Sequence, residues 1–272
     1  MITITDGEFR KLAAYIEENY GIHLKEEKRT LVMGRLHKVL EEMGFKNFTE
    51  YYKYILQDRG GAATITLLDK ITTNHTYFMR EADHFDFFRE QVLPFWMKTI
   101  KEKDLRVWCA ASSTGEESYT LAMIIDEVVK QKDATWDTKI LATDISNQVL
   151  EIAKQGVYSH EKIQALPPQW KINYFKKYNG ENYKIVDKIQ NEVIYRRFNL
   201  MENLFPFKKK FHVIFCRNVM IYFDIKTKDT LIEKFYNSLD YGGYLFIGHS
   251  EWINLEKIGF KHIRPAVYRK EK

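Results

Sequence analysis

The chain has 272 residues, of which 45% are hydrophobic, 15% aromatic and 29% charged, enough apolar material for a packed core and too much for a disordered chain. At roughly 150 residues per domain this length predicts one large domain, or a large domain with a smaller companion. Lys and Arg number 42 against 37 Asp and Glu, a formal charge of +5 that suits an acidic partner surface and falls short of a nucleic-acid signature.

The first part of the chain reads as helices. From Gly7 to Asn19, Phe9, Leu12, Ala13 and Ile16 recur at helical spacing; from Leu24 to Met43, Val32, Leu36 and Leu40 form one stripe. A third helix runs from Phe48 to Gln57, capped by Asn47 or Thr49, and a fourth from Ala62 to Thr72 beyond the break at Arg59-Gly60-Gly61. The expected boundaries are a helical domain over 1–70, a linker over 71–82 and a second domain over 83–272.

From Leu105 the pattern changes. Leu105 to Ala110 is a short apolar run ending in a polar turn, followed by helical spacing from Glu117 to Lys130. Lys139 to Asp144 precedes a helix from Asn147 to Gln155, and Val213 to Cys216 and Tyr244 to Gly248 flank a helix from Lys226 to Leu239. Alternating strands and helices predict an α/β fold with a doubly wound, mostly parallel sheet, and ligands at the carboxyl ends of its strands. Between them, Tyr158 to Ile194 is irregular, with Leu166-Pro167-Pro168 and an Asn179-Gly180 turn inside a hairpin; a small antiparallel subdomain is expected at about 160–193.

The loop Ala110 to Glu117 is small and polar and opens a helix, which suits a nucleotide-like ligand. It matches neither Gly-x-Gly-x-x-Gly nor a P-loop. Glu116 and Glu117 either serve the ligand or satisfy the helix dipole. Asp144, ending a strand, either accepts from ribose hydroxyls or caps the next helix. Arg217-Asn218, followed by Val219 to Asp224 with Tyr222 among them, fits an active-site lip or a satisfied polar network. Thr72 to Glu81 is dense in side-chain chemistry, and His249 either lines a site or caps a turn. The eight histidines form no His-Glu-x-x-His, and Cys109 and Cys216 lie in apolar runs without Cys-x-x-Cys, so no metal and a reducing, cytoplasmic setting are expected. No apolar run reaches about 18 residues and the N-terminus has no leader pattern, so no membrane insertion is expected.

At these residues the chain resembles the CheR family of chemotaxis receptor methyltransferases. The motifs are Thr72-Thr73-Asn74-x-Thr76 through Phe78-x-Arg80-Glu81, Trp108-x-Ala110-Ala111-x-Ser113-Thr114-Gly115-Glu116-Glu117, Thr143-Asp144-Ile145, Phe198-Asn199-Leu200, Phe215 to Phe223 and Gly248-His249-Ser250-Glu251. The resemblance covers nearly the whole chain. It implies a Rossmann-like methyltransferase domain that takes S-adenosyl-L-methionine, leaves S-adenosyl-L-homocysteine, and esterifies glutamates on the cytoplasmic helical bundle of chemoreceptors. Cofactor contacts would come from Asn74, Thr76, Arg80, Glu117, Asp144, Asn199, Leu200, Arg217 and Asn218, with Arg80 and Tyr222 shaping catalysis.

On the second helix Lys28, Leu31, Arg35 and Lys38 form a basic stripe; in the resemblance this helix faces the substrate, so Lys28, Arg35 and Lys38 become candidate receptor contacts. A solvated face balanced by neighbouring glutamates is the alternative. Two positions depart from the family pattern: Ser118 stands where Pro is common and Met79 where Phe is common. The hairpin lacks the glycine-rich insertion of members that dock a receptor's C-terminal tether, so tether dependence is not expected. A monomer is expected, since no dimer seam is visible. A nucleic-acid methyltransferase would carry Asn/Asp-Pro-Pro-Tyr/Phe where Arg217-Asn218-Val219-Met220 stands, and a non-catalytic cofactor sensor would not need Arg80 and Tyr222.

Overall fold

The computed structural model describes residues 2–58, 60–72, 75–255 and 258–271. The chain divides into two compact units, one of Met1–His75, Asn199–Met201 and Tyr222–Lys228, the other of Thr76–Phe198, Glu202–Ile221 and Asp229–Lys272. Among the described residues, no helix is long and apolar enough to cross a membrane.

The smaller unit is built on α1 (Asp6–Tyr20), α2 (Arg29–Glu42), α3 (Phe48–Gln57) and α4 (Ala62–Ile71). Thr5 opens α1 with a capping box: its hydroxyl accepts from Glu8 N at 3.3 Å and Glu8 Oε2 accepts from Thr5 N at 2.9 Å. The other oxygen of Glu8 accepts from the backbone N and hydroxyl of Thr49 at 2.8 and 2.9 Å, so one carboxylate caps α1 and ties down α3. Asn47, rather than Thr49, caps α3. The second helix is shorter than its periodicity predicts: Glu26–Lys28 tightens into a 3-10 turn, a common way to begin a helix, and the α-helix begins at Arg29. Phe9, Leu12 and Ile16 of α1, Val32, Leu36 and Leu40 of α2 and Leu67 and Leu68 of α4 are buried, each such side chain stabilising by about 1.5–3 kcal/mol.

The larger unit begins with a helical stretch that sequence periodicity does not reveal, α5 (Ala82–Phe87), a π turn over Phe88–Val92, and α6 (Leu93–Thr99). Next come β1 (Val107–Ala110), α7 (Glu116–Ile125, continued by a π turn over Asp126–Lys130), β2 (Ile140–Asp144) and α8 (Asn147–Gln155). The insertion supplies β3 (Val157–Ser159), α9 (His160–Ile163), α10 (Pro168–Tyr174), β4 (Phe175–Lys177), β5 (Asn182–Ile185) and α11 (Asp187–Gln190). The chain closes with β6 (Val193–Arg197), β7 (Phe211–Cys216), α12 (Ile225–Ser238, which starts in the smaller unit), β8 (Leu239–Phe246), β9 (Phe260–Arg264) and β10 (Val267–Lys270).

The main sheet has the order β6-β2-β1-β7-β8-β10-β9. The first five of these pair in parallel, and the C-terminal β10 and β9 add an antiparallel edge that the sequence reading does not anticipate. Every residue of β1 and β7 is buried, as in strands covered on both faces. Strand order reverses between β1 and β7, and at such a switch the loops diverge and leave a crevice. The insertion forms its own antiparallel sheet, β3-β5-β4. Its hairpin turns at Asn179-Gly180, where Gly180 takes a φ of 50° and Asn182 N donates to Asn179 O at 2.8 Å.

Candidate active site

The parallel pairing sets Ala110 beside Thr143 on one side and Cys216 on the other, so the loops after β1, β2 and β7 leave the sheet together. The loop after β1 is wound through left-handed backbone at Ala111 (φ 61°), Ser113 (φ 49°) and Gly115 (φ 96°). For the two non-glycine residues that conformation costs of order 1–3 kcal/mol each, and such strain gathers at ligand sites. Asp144 supports the loop: its Oδ2 accepts from Ser113 N at 2.9 Å and its Oδ1 from Ser146 N at 3.0 Å. Ser146 caps α8, so Asp144 is a loop organiser rather than the helix cap. Ser118 replaces the common Pro without loss of order, donating to Gly115 O at 3.0 Å and pairing with the Tyr195 hydroxyl at 2.9 Å.

Arg217 follows β7, and its side chain is 1% exposed. One guanidinium nitrogen meets Glu117 Oε2 at 2.8 Å; the other meets Glu81 Oε2 at 2.9 Å and donates to the Arg80 carbonyl. The other oxygen of Glu117 accepts from the Cys109 thiol at 3.1 Å. Asn218, left-handed at φ 59°, donates from Nδ2 to Glu81 Oε1 at 3.0 Å and from its backbone N to Glu251 Oε2 at 3.1 Å. These contacts gather Glu81, Glu117, Arg217 and Asn218 from three chain segments. Hydrogen bonds from Asn218 and the charge of Arg217 hold the Glu81 carboxyl down to about 2 against the opposing effect of burial.

Glu81 and Glu251 are not singled out by the sequence reading, although both stand in its motifs. Glu251 is buried and also accepts from Gly248 N and Ile221 N, at 2.6 and 3.2 Å, while burial pushes its carboxyl up. Gly248 has no room for a side chain, because a Cβ there would lie 2.4 Å from Asn218 Nδ2. Glu116 stands in the first turn of α7, as the helix-dipole reading expects, and is fully buried and paired with Lys162 at 2.6 Å. His249 Nε2 lies 3.2 Å from Asp83, and its ring meets that of His84 edge-on at 4.6 Å. Burial lowers His84 to about 4. Among the described residues Glu81, His84 and His249 bring potential ligand atoms within 4.8 Å of one another, but Glu81 is already committed to Arg217 and Asn218.

Thr76 and Arg80 lie half-buried in the segment leading to Glu81, with the Arg80 guanidinium 6.0 Å from the Tyr77 ring centroid. Asn74 lies outside the described residues. Asn199, Leu200 and Tyr222 belong to the smaller unit, where Asn199 Nδ2 donates to Asn19 O at 2.9 Å and Tyr222 O accepts from His23 N at 2.8 Å. The basic stripe divides: Lys28 and Lys38 are exposed, whereas Arg35 Nη1 donates to the carbonyls of Lys70, Ile71 and Thr72 at 3.3, 3.0 and 3.2 Å, capping α4.

The groups around the β1 loop suit S-adenosyl-L-methionine. The hydroxyls of Ser112 and Ser113 are buried without a protein hydrogen-bond partner, and carboxylate, amide and guanidinium groups stand together near the strand ends.

Comparison with known proteins gives the same answer over the whole chain. The profile described as "CheR methyltransferase, SAM binding domain" matches residues 74–268, and "CheR methyltransferase, all-alpha domain" matches residues 7–72. A chemotaxis protein methyltransferase of Borreliella burgdorferi is 43% identical, covering 99% of this chain and 96% of the relative. A probable chemotaxis protein methyltransferase of Rhizobium etli is 37% identical over 93% and 96%, and a chemotaxis protein methyltransferase of Escherichia coli K12 is 34% identical over 92% and 86%. Among solved structures, the glycopeptide N-methyltransferase MtfA with S-adenosyl-L-methionine has 13% identity and a TM-score of 0.32 over 58% of this chain and 53% of that one, too slight a likeness to carry an argument. The chain therefore belongs to the CheR family of S-adenosyl-L-methionine-dependent methyltransferases.

Proposed function

We propose that the protein methylates glutamate side-chain carboxylates of chemoreceptors in the cytoplasm, forming the methyl esters of chemotactic adaptation. The observation that carries this reading is the polar cluster at the carboxyl ends of β1, β2 and β7, in a chain that matches chemotaxis protein methyltransferases almost end to end. The cofactor, when bound, supplies an electrophilic methyl group on a sulfonium sulfur.

Each assigned residue then has a physical role. Asp144 lends its carboxylate to ribose hydroxyls while holding the β1 loop; Glu117 and Arg217 present a paired carboxylate and guanidinium; Asn218 offers an amide; and Arg80 provides a charge-assisted donor to a carboxylate. Asn74, Thr76, Asn199 and Leu200 complete the cofactor contacts. A glutamate carboxylate, with an ordinary pKa of about 4.3, is already ionised at neutral pH, so this chain needs no general base. Its contribution is alignment, worth about 7–11 kcal/mol when the reacting groups are well fixed. Arg80 and Tyr222 are the candidates for shaping that step. Lys28 and Lys38 favour an acidic helical receptor surface, with the half-buried Arg35 beside them adding its charge; the enzyme acts as a monomer without a receptor tether.

The test uses Arg80→Ala and Tyr222→Phe with the organism's own receptors, mapping methylated residues by peptide mass spectrometry. Both variants should melt cooperatively near the parent temperature and lose at least about tenfold in rate, roughly 1.4 kcal/mol or more of transition-state stabilisation. Unchanged rates would remove them from the chemical step, and methylation at residues other than glutamate would overturn the substrate assignment.

A further inference from the structure

The inserted subdomain touches the β1 loop with side chains that have no part in the chemistry above. Lys162 of α9 places Nζ 2.6 Å from Glu116 Oε1, and the second oxygen of Glu116 accepts from the Thr114 hydroxyl at 2.6 Å. Glu116 is 0% exposed. A carboxylate so deep depends on its partners, because removing one leaves an uncompensated charge in the interior. Tyr158 of β3 donates from its hydroxyl to the Thr114 carbonyl at 2.8 Å. That phenol is buried, and burial holds it protonated, as a donor must be.

The same subdomain forms one wall around Gly115, through Tyr158; Tyr195 of β6 and Ala153 of α8 form the rest. A Cβ at that residue would lie 2.9 Å from the Tyr158 hydroxyl, 2.8 Å from the Tyr195 hydroxyl and 3.0 Å from Ala153 Cβ. It also grips the segment that carries Arg80: the Phe78 ring meets Tyr158 edge-on at 4.9 Å and Phe175 of β4 edge-on at 5.7 Å. Two strained stretches of the candidate cofactor site, residues 111–115 and 79–81, are therefore braced from one place.

We propose that the inserted β subdomain is part of the cofactor site, with Lys162 and Tyr158 as positioning residues that hold the β1 loop in its binding conformation. This rests on the reading of that loop as the S-adenosyl-L-methionine loop. The subdomain thereby carries a role independent of any receptor contact: cofactor affinity responds to a change in α9 or β3 although neither supplies an assigned contact.

The experiment is calorimetric titration of the full chain with S-adenosyl-L-homocysteine, alongside thermal melts, for Lys162→Met, Tyr158→Phe and the double variant Glu116→Gln/Lys162→Met. Lys162→Met should weaken binding at least tenfold, since Glu116 is left charged and drags the loop toward water. The double variant should recover to within threefold of the parent, because the neutral amide still accepts from Thr114. A merely stabilising ion pair would not give that recovery in affinity. Lys162→Met binding within twofold of the parent, or a double variant as weak as the single, would overturn the proposal. Should Lys162→Met fail to melt cooperatively, Tyr158→Phe decides: at least threefold weaker binding supports the brace and unchanged binding overturns it. A parent protein that binds no S-adenosyl-L-homocysteine would overturn this proposal together with the cofactor reading, whereas one that binds but methylates no receptor would overturn only the proposed function.

Discussion

Arg217 is the residue on which most of the polar site converges. Its guanidinium lies between Glu81 and Glu117, almost sealed from water, so its loss leaves two carboxylates without their cation. Arg217→Met should lower unfolding free energy by about 3–5 kcal/mol in urea titration, with S-adenosyl-L-homocysteine binding lost as well. A change under about 1 kcal/mol would mean that the two acids are solvated despite their burial. Glu81 adds a pH dependence of definite sign. Its folded pKa, about 2, lies below its ordinary value of 4.5. Its stabilisation is therefore full above pH 4.5 and is lost as pH falls from 4.5 toward 2. The stability gap between the parent and Glu81→Gln should narrow over that interval; a gap that stays constant would contradict the pairing with Arg217.

At the scale of elements, the strand-loop-helix grammar exposes β1, β2, β7 and β8, because each is an apolar run that stops at small or polar residues. It also places Asp144 and Arg217 at strand ends and Glu117 at the start of the helix after β1, where they are found. The same reasoning fails for β9 and β10: Lys261, His262 and Arg264 interrupt the apolar pattern of β9, as expected of an edge, and Arg269 and Lys270 interrupt that of β10 beside it. It fails for α5 and α6 because Phe85, Phe87, Phe88, Phe95 and Trp96 crowd the segment and the π turn shifts its register. The bond between Arg217 and Glu81 spans 136 positions, and no local spacing encodes it. Gly115→Ala should test the β1 loop itself: with φ at 96° and two tyrosine hydroxyls under 3 Å from the added carbon, it should cost about 1–3 kcal/mol and weaken S-adenosyl-L-homocysteine binding. Thr5→Ala should cost about 1 kcal/mol through the lost α1 cap while cofactor affinity stays at the parent value, by melting and calorimetry.

Over the whole molecule the two units divide the chemistry. The larger carries the sheet, the strained loops and the Arg217 cluster; the smaller carries the helical bundle with exposed Lys28 and Lys38, together with Tyr222 and Asn199. Fold alone would leave the methyl acceptor open, since one cofactor scaffold serves many substrates. The proposed acceptor, a glutamate carboxylate that needs orientation and no base, rests on the match to chemotaxis protein methyltransferases over nearly the whole chain. The direct measurement is incubation with methyl-labelled S-adenosyl-L-methionine and membranes bearing the organism's own chemoreceptors, followed by mild base. Label that enters receptor protein and leaves as methanol on base treatment is the predicted result, the behaviour of a glutamate methyl ester; base-stable label, or cofactor binding with no label on any receptor, would contradict it.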